Sequence, residues 1–381
     1  MSNLIKNRAM AMQMTCTFFF LLFTFIYLYD YQADIMAVTQ SALSKGATRY
    51  NRTIGAVLIT LLLWLLQIGV CALTKLRRQT HAVTYFPSFV LLALLSDLSP
   101  EVDTSGYVGR WLWLFPLLML VFAGVVWFSR QLESLDIAIG SSNLLSKIVW
   151  TNLLMMILMA MGVTAIGCSD EVFHYRMNME NRIAQGDFEG ALKIGSQSEE
   201  TDSSLTMMRA WALSGQNELG ERLFEYALTG GSDALLPNGV SVRLLMAPEE
   251  KLYKRLGVVF VEKMRPKTYF EKLHQTRWAT KASHDWLLCA YLLDRDLEHF
   301  VRALGKYYHV DSTLPKHYRE ALILYNHLTS NPYIVYDDNV MDADYEDFQT
   351  LDNKYKDPRV KYTMLRDSYG KTYWFYYYFK R

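Results

Sequence analysis

The chain has 381 residues, of which 51% are hydrophobic and 20% are charged, and its formal net charge is +1. Near-neutral charge excludes a strongly basic nucleic-acid-binding protein, and the apolar content excludes a mainly disordered chain. The charges are distributed unevenly, because 18 lie in the first 169 residues and 59 lie in the other 212. The sequence therefore predicts two parts that meet different solvents, residues 1–169 and residues 170–381.

The first part contains five apolar segments of roughly the length that crosses a bilayer, which is about 20 residues. The third segment is the weakest, since Pro87 lies in its first turns and Asp97 lies near its end. Proline costs little near a helix start, so this segment is still counted as a span. The sequence predicts a transmembrane helical bundle with spans over residues 9–29, 53–74, 82–99, 111–129 and 148–169.

Lysine and arginine predict how this bundle is oriented, because cations are retained on the cytoplasmic side. With the N-terminus inside, seven cations fall on the cytoplasmic side, namely Lys6, Arg8, Lys75, Arg77, Arg78, Arg130 and Lys147. Four fall on the outer side, namely Lys45, Arg49, Arg52 and Arg110. Five spans then place residues 170–381 outside the cytoplasm, in the periplasm of a Gram-negative cell. Without the third span the side of this second part would be reversed.

The interiors of the spans contain no ionisable residue. Ionisable side chains at membrane depth are costly and are usually functional, so their absence argues against an ion-coupled pump. A transporter or channel subunit remains an alternative, for which Gln67, Ser88 and Asn152 are the polar residues that the bundle offers.

In the second part, amphipathic helices alternate with short turns, and no alternating strand pattern competes with them. The clearest stretch predicts an αα-hairpin with helices over 204–213 and 218–228. It places an aromatic residue in the first helix, small residues at and after the turn, and an aromatic residue and an alanine in the second helix. These residues are Trp211, Gly215, Gly220, Phe224 and Ala227.

This pattern resembles the tetratricopeptide (TPR) repeat, in which such residues allow two helices to pack closely. The preceding stretch resembles it less completely through Tyr175, Gly186 and Ala191, and its glycine precedes Gly215 by 29 residues where the family repeat has about 34. A third hairpin turns at 294–296 without a matching glycine. The resemblance implies an all-α helical-hairpin solenoid whose concave face binds a peptide or a partner domain, with generic α-helical packing as the alternative.

The sequence does not indicate a metal, cofactor or catalytic site. Six histidines occur between His274 and His327, but no two are three or four residues apart, as helical metal ligands are. His317 and Glu320 are three apart, which is common on helix surfaces. The acidic run 337–347 lacks the mid-loop glycine of a calcium loop, and no phosphate-binding or hydrolase motif occurs.

The end of the chain is unusually aromatic, and rings of this size bury a large apolar area when they pack. We expect this segment to form a helix or strand that covers the end of the repeat domain. Docking onto the membrane interface or onto a partner remains the alternative. The residues are Tyr369, Tyr373, Trp374, Phe375, Tyr376, Tyr377, Tyr378 and Phe379.

Three functional hypotheses follow, and the first is favoured. It is a membrane scaffold or assembly protein that contacts the bilayer and presents the helical domain to a protein partner outside the cytoplasm. The second is a subunit of a small-molecule or lipid transporter. The third is an envelope lipid- or glycan-modifying enzyme that uses Asp97, Glu101 and Asp103, although a polar loop explains these carboxylates equally well.

Overall fold

A computed structural model describes residues 2–44, 46–76, 80–98, 109–134, 147–260, 262 and 264–379. All regular structure in these ranges is helical, which confirms the all-α prediction. The chain divides between Met177 and Asn178 into two compact units, a membrane unit and a C-terminal unit.

The membrane unit is built from long apolar helices. Its helices are α1 (Ser2–Ile26), α2 (Ala33–Ser44), α3 (Arg52–Thr74), α4 (Phe86–Ser96), α5 (Trp111–Ser134) and α6 (Lys147–Ile166). Helix α1 continues through a single π-helical turn over Tyr27–Tyr31, and a 3-10 helix over His81–Tyr85 leads into α4.

Four of these helices in the described residues are long and apolar enough to cross a membrane. They cover Met10–Tyr31, Arg52–Thr74, Trp111–Gln131 and Ile148–Ile166. The segment expected to be a continuous third span differs, because it is a shorter apolar helix over His81–Ser96. Pro87 lies in the first turn of α4, where its missing N–H costs nothing, and the turns before it are 3-10.

This shorter segment nevertheless runs from one end of the bundle to the other. In the 3-10 turns before α4, the Ala82 backbone N–H donates to Asn152 Oδ1 over 2.7 Å, and Asn152 Nδ2 lies 3.3 Å from Met12 Sδ. At the end of α4, Ser96 Oγ accepts from the Tyr27 hydroxyl, and the Ser96 carbonyl accepts from the Cys168 N–H. The 3-10 turns add about 10 Å to the roughly 16 Å of α4. Together they approach the ~30 Å thickness of a hydrocarbon core.

The C-terminal unit consists of shorter amphipathic helices. They are α7 (Glu171–Gln185, which begins before the division), α8 (Phe188–Lys193), α9 (Ser203–Gln216), α10 (Leu219–Arg222), α11 (Glu249–Leu256), α12 (Pro266–His274), α13 (Lys281–Leu293), α14 (Leu297–Tyr307), α15 (Lys316–Leu328), α16 (Asn339–Lys354), α17 (Pro358–Tyr369) and α18 (Tyr373–Phe379). Side chains cap several helix starts: Asp187 accepts from Gly190 N–H, Asp202 from Leu205 N–H and Asp338 from Met341 N–H.

Successive helices reverse direction at residues with left-handed backbone. Gly186 has φ of +81° between α7 and α8, and Asn217 has φ of +61° between α9 and α10. In the third hairpin, which has no glycine at its turn, Arg295 takes the same conformation with φ of +60°. Asparagine and even arginine can therefore replace glycine where the rest of the turn holds the backbone.

The second helix of the clearest hairpin is much shorter than expected. A helix over 218–228 was expected, but α10 ends at Arg222 and is followed by a 3-10 turn over Leu223–Glu225. The chain then becomes extended at Tyr226, and the Ala227 carbonyl accepts a hydrogen bond from the buried Arg209 guanidinium over 2.5 Å. In a helix over 218–228 this carbonyl would lie in the last turn without an intrahelical donor, and here Arg209 supplies the donor.

Candidate functional site

The small residues singled out in the hairpins lie at close helix contacts. A Cβ added to Gly215 would lie 2.6 Å from the Phe188 ring, and one added to Gly220 would overlap the Tyr318 ring. Trp211 is 3% exposed and Ala191 is fully buried. Gly215 thus accommodates a residue of the preceding hairpin, whereas Gly220 accommodates a residue more than 90 positions later in the chain.

Phe224 and Ala227 lie outside a regular second helix. The Phe224 ring makes edge-to-face contacts with His317, Tyr373 and Tyr376, with ring centroids 4.7–5.2 Å apart. Phe224 therefore packs against α15 and the aromatic end of the chain, and this contact differs from packing within one repeat hairpin.

Arg209 is a buried cation that the sequence analysis did not identify. Its guanidinium donates to the carbonyls of Ala227 and Gly195, and it lies 5.2 Å from the Tyr226 ring centroid. Burial lowers the pKa of this arginine to about 10. Residues 204–214 of α9 are all buried, so Arg209 is surrounded by protein on every side, and the mixed composition of this helix gives no signal of that burial.

The aromatic end of the chain forms α18 and packs within the C-terminal unit. Tyr373, Trp374 and Tyr376 are buried, and their side chains donate to backbone carbonyls of Leu292, Glu320 and Leu293 respectively. The terminal segment is therefore a helix that packs within its own unit, and its expected role at the end of a repeat solenoid stays a prediction.

His317 and Glu320 are part of this attachment and lie far from solvent. His317 is 0% exposed and Glu320 is 2% exposed, and His317 Nδ1 lies 2.8 Å from Glu320 Oε2. The same oxygen accepts from the Tyr373 backbone N–H over 2.7 Å. Sequence spacing had suggested a surface pair, whereas the structure places both side chains beneath α18.

Four of the five other histidines between His274 and His327 lie in local contacts away from His317. His284 stacks on Tyr307 beside His274, His299 contacts Asp296, and His327 contacts Asp342. Among the described residues, histidine, cysteine, aspartate and glutamate do not form a group of three that could hold a metal ion.

Asp285 is the carboxyl group of the C-terminal unit whose surroundings most resemble those of a catalytic carboxylate. It accepts hydrogen bonds from the hydroxyls of Tyr308, at 2.6 Å, and Tyr318, at 2.9 Å, and burial raises its pKa. The Cys289 thiol lies 3.7 Å from the Tyr318 hydroxyl and is fully buried, which raises its pKa too. This cluster joins α13, the end of α14 and α15, so its contacts are those of a structural cross-link.

Polar residues of the membrane unit also bond across helices. Gln67 Nε2 donates to the Thr84 hydroxyl over 3.0 Å, and the Ser88 hydroxyl donates to the Leu63 carbonyl over 2.8 Å. Together with Asn152, these residues converge on the start of α4. Each of them fixes the position of a helix, and each donates to protein atoms.

Of the three carboxylates considered for an enzyme, Asp97 lies within the described residues. Asp97 accepts from the Trp111 indole N–H over 2.6 Å and forms an ion pair with Arg110. Glu101 and Asp103 lie outside the described residues. The structure therefore gives Asp97 a role in joining α4 to α5.

An exposed apolar surface lies between α15 and the first turns of α16. Leu328 is 51% exposed, Tyr333 70%, Val335 65% and Val340 74%. Leu328 ends α15, Val340 lies in the first turn of α16, and Tyr333 and Val335 lie on the loop between these helices. This loop is held in place, since Asn326 Nδ2 donates to the Tyr336 carbonyl over 2.9 Å and Tyr336 is buried. With Asp344 and Asp347 of α16, these four residues define the 328–347 surface.

The acidic residues near this surface fall into two groups. Asp338 caps α16 and lies 3.8 Å from Arg319, and Asp342 contacts His327. By contrast, a second group is exposed and forms no ion pair within the described part of the chain, namely Asp337, Asp344, Glu346 and Asp347. The unpaired carboxylates leave the surface with net negative charge.

Comparison with known proteins assigns only part of the chain. Residues 250–380 match a family of unknown function, DUF6057. No curated protein and no solved structure matches the chain. The matched part contains the Asp285 cluster, the His317–Glu320 pair and the 328–347 surface, whereas the two hairpins that resemble TPR repeats precede it.

Proposed function

We propose that the chain is an integral membrane scaffold whose C-terminal unit docks a protein partner. The 328–347 surface carries this proposal, because four large apolar side chains on a fixed loop and on the helix ends beside it are exposed within thirteen residues. Single exposed apolar residues are ordinary, whereas a group held in place is typical of an interaction site.

The polar groups support this role more than they support catalysis or transport. Asp285, Glu320 and Asp97 each accept several hydrogen bonds from neighbouring protein groups. The polar side chains of the bundle likewise bond to one another and to backbone atoms. These contacts position helices, and a scaffold requires such positioning.

The proposed topology keeps the N-terminus in the cytoplasm and places the C-terminal unit on the opposite side. It is supported by the 3-10 turns and α4, which together run between the same two ends of the bundle as α1 and α6 and would form the fifth crossing. At the end where Met12 and Asn152 meet, Lys75 and Arg130 form no ion pair with a described residue. At the other end, Arg52 pairs with Asp30 and Arg110 pairs with Asp97.

Cysteine labelling in cells tests this topology. A membrane-impermeant maleimide should label Glu200→Cys in intact cells with a permeable outer layer and should label Lys75→Cys only after lysis. Both positions are exposed, so each cysteine should react wherever the maleimide reaches its side of the membrane. Labelling of both variants before lysis, or of Lys75→Cys alone, would show that the topology is wrong.

Site-specific photo-crosslinking tests the docking role. A benzophenone amino acid at Tyr333 should give one discrete cross-linked product in cells with the full-length chain. Matched controls carry the same amino acid at Trp278 or Val360, which are exposed apolar positions elsewhere in the unit. The proposal fails if position 333 gives no product, or gives the same products as the controls.

A further inference from the structure

The outward face of α16 extends the 328–347 surface with a regular stripe. Val340, Ala343, Asp344 and Asp347 are spaced at i, i+3, i+4 and i+7, so they lie along one side of the helix, and all four are exposed. Tyr345 and Phe348 of the same helix are buried, so α16 is attached to the rest of the unit beside this stripe. The stripe therefore combines small apolar residues with two carboxylates on a helix that is attached to the core.

The charge of this stripe is unbalanced. Asp342 and Asp352 of the same helix contact His327 and Lys361, at 3.2 and 3.0 Å. Asp344 and Asp347 make no ion pair within the described residues, although their field reaches Tyr369 and contributes to the raised pKa of that phenol. A partner with positive charge would neutralise carboxylates that the chain itself does not neutralise.

We propose that the 328–347 surface binds a protein segment in which lysine or arginine side chains alternate with apolar residues. The apolar side chains of the partner would pack on Tyr333, Val335 and Val340, and its cations would pair with Asp344 and Asp347. An anionic lipid surface is disfavoured as the occupant, because it would repel the same two carboxylates. This inference rests on the proposed docking function and specifies the chemistry of the partner.

Binding of defined peptides by the full-length chain in detergent tests the inference. The probe is an amphipathic helical peptide of leucine and lysine, and its control is the same peptide with glutamate in place of lysine. We expect the lysine peptide to bind more tightly, and we expect its affinity to fall as salt is raised. The double substitution Asp344→Asn with Asp347→Asn should weaken its binding about tenfold.

Two further variants separate the roles of charge and apolar contact. Glu249→Gln with Glu250→Gln removes two exposed carboxylates from α11 and should leave the affinity unchanged. Tyr333→Ala should weaken binding of the lysine peptide while the unit remains folded, since this side chain is 70% exposed. The inference is overturned if both peptides bind equally, if neither binds, or if the α11 substitutions have the same effect as those in α16.

Failure of the basic-segment inference can be distinguished from failure of the docking role itself. If position 333 cross-links to a partner in cells and the cross-linked segment of that partner is acidic or uncharged, the docking function stands and this inference is overturned. If position 333 gives no specific product, the docking function itself fails. A cross-linked segment rich in lysine or arginine beside apolar residues supports both.

Discussion

The two units of this chain use polar groups in different ways. In the membrane unit, neutral side chains such as Gln67, Ser88 and Asn152 bond between helices, and charged pairs lie at the ends. In the C-terminal unit, charged or titratable groups such as Arg209 and Glu320 are buried inside. A bilayer offers helices little hydrophobic driving force for association, so neutral hydrogen bonds help to position them. In water, apolar burial supplies the stability, and a few buried charges can fix how distant segments meet.

The largest expected loss of stability comes from removing the buried Glu320 carboxylate beneath α18. Glu320→Ala leaves His317 and the Tyr373 N–H without their acceptor, and loss of one partner of a buried pair costs about 3 kcal/mol. We expect a lower unfolding temperature and faster hydrogen exchange in residues 373–379. Glu320→Gln retains an acceptor oxygen and should lose about 1 kcal/mol.

The control for this prediction is Glu200→Ala, which removes an exposed carboxylate from the same unit. Its effect should lie within about 0.5 kcal/mol of zero. Equal unfolding temperatures for Glu320→Ala and Glu200→Ala would show that the buried pair does not hold the aromatic helix.

The second largest loss of stability is expected at the close contact between α10 and α15. Gly220→Ala places a methyl group against the Tyr318 ring, and such overpacking costs about 1–3 kcal/mol. If this contact is the cause, Tyr318→Leu should partly relieve the clash, so that the double variant loses less stability than the sum of the single variants. Additive losses in thermal unfolding would exclude direct coupling between these two positions.

The sequence predicts correctly those features that depend on one helix or on the next helix along the chain. The all-helical class and four membrane-length helices follow from hydrophobic periodicity and segment length. The helix expected over 218–228 ends early instead, and the residues that follow it make long-range contacts, such as the bond from Arg209 to the Ala227 carbonyl, that its own sequence does not indicate. His317 and Glu320 have the same spacing whether they are exposed or buried, so their position beneath α18 could not be read from that spacing.

A smaller effect is expected from the neutral hydrogen bonds of the membrane unit. Asn152→Leu removes the acceptor of the Ala82 N–H in the 3-10 turns before α4, and interhelical bonds in membranes are worth about 0.6–2 kcal/mol. The matched control is Thr60→Val, because the Thr60 hydroxyl is buried and has no partner among the described residues. Thermal unfolding in detergent should separate the two variants, and an equal loss from Thr60→Val would contradict the role given to the bond.

The smallest expected effect is on the pH dependence of folding stability, to which Asp285 contributes. Its pKa is raised by burial, so ionisation is less favourable in the folded chain than in the unfolded chain. Its contribution to stability is therefore complete below the ordinary aspartate pKa of about 3.9 and is lost as pH rises through the raised value. Asp285→Asn should remove this dependence, which denaturant unfolding at a series of acidic pH values measures. An unchanged pH dependence would show that Asp285 does not contribute to it.

The attachment of α18 also has a consequence for biosynthesis. Residues 373–376 cover Phe224, His317 and Glu320, which the ribosome makes much earlier, so these side chains stay uncovered while the rest of the unit is being translated. Domains fold as their chains emerge, and incompletely packed apolar surface is prone to aggregation. A product that stops before Tyr373 would present that surface permanently, and it would be an expected substrate for chaperones and proteases.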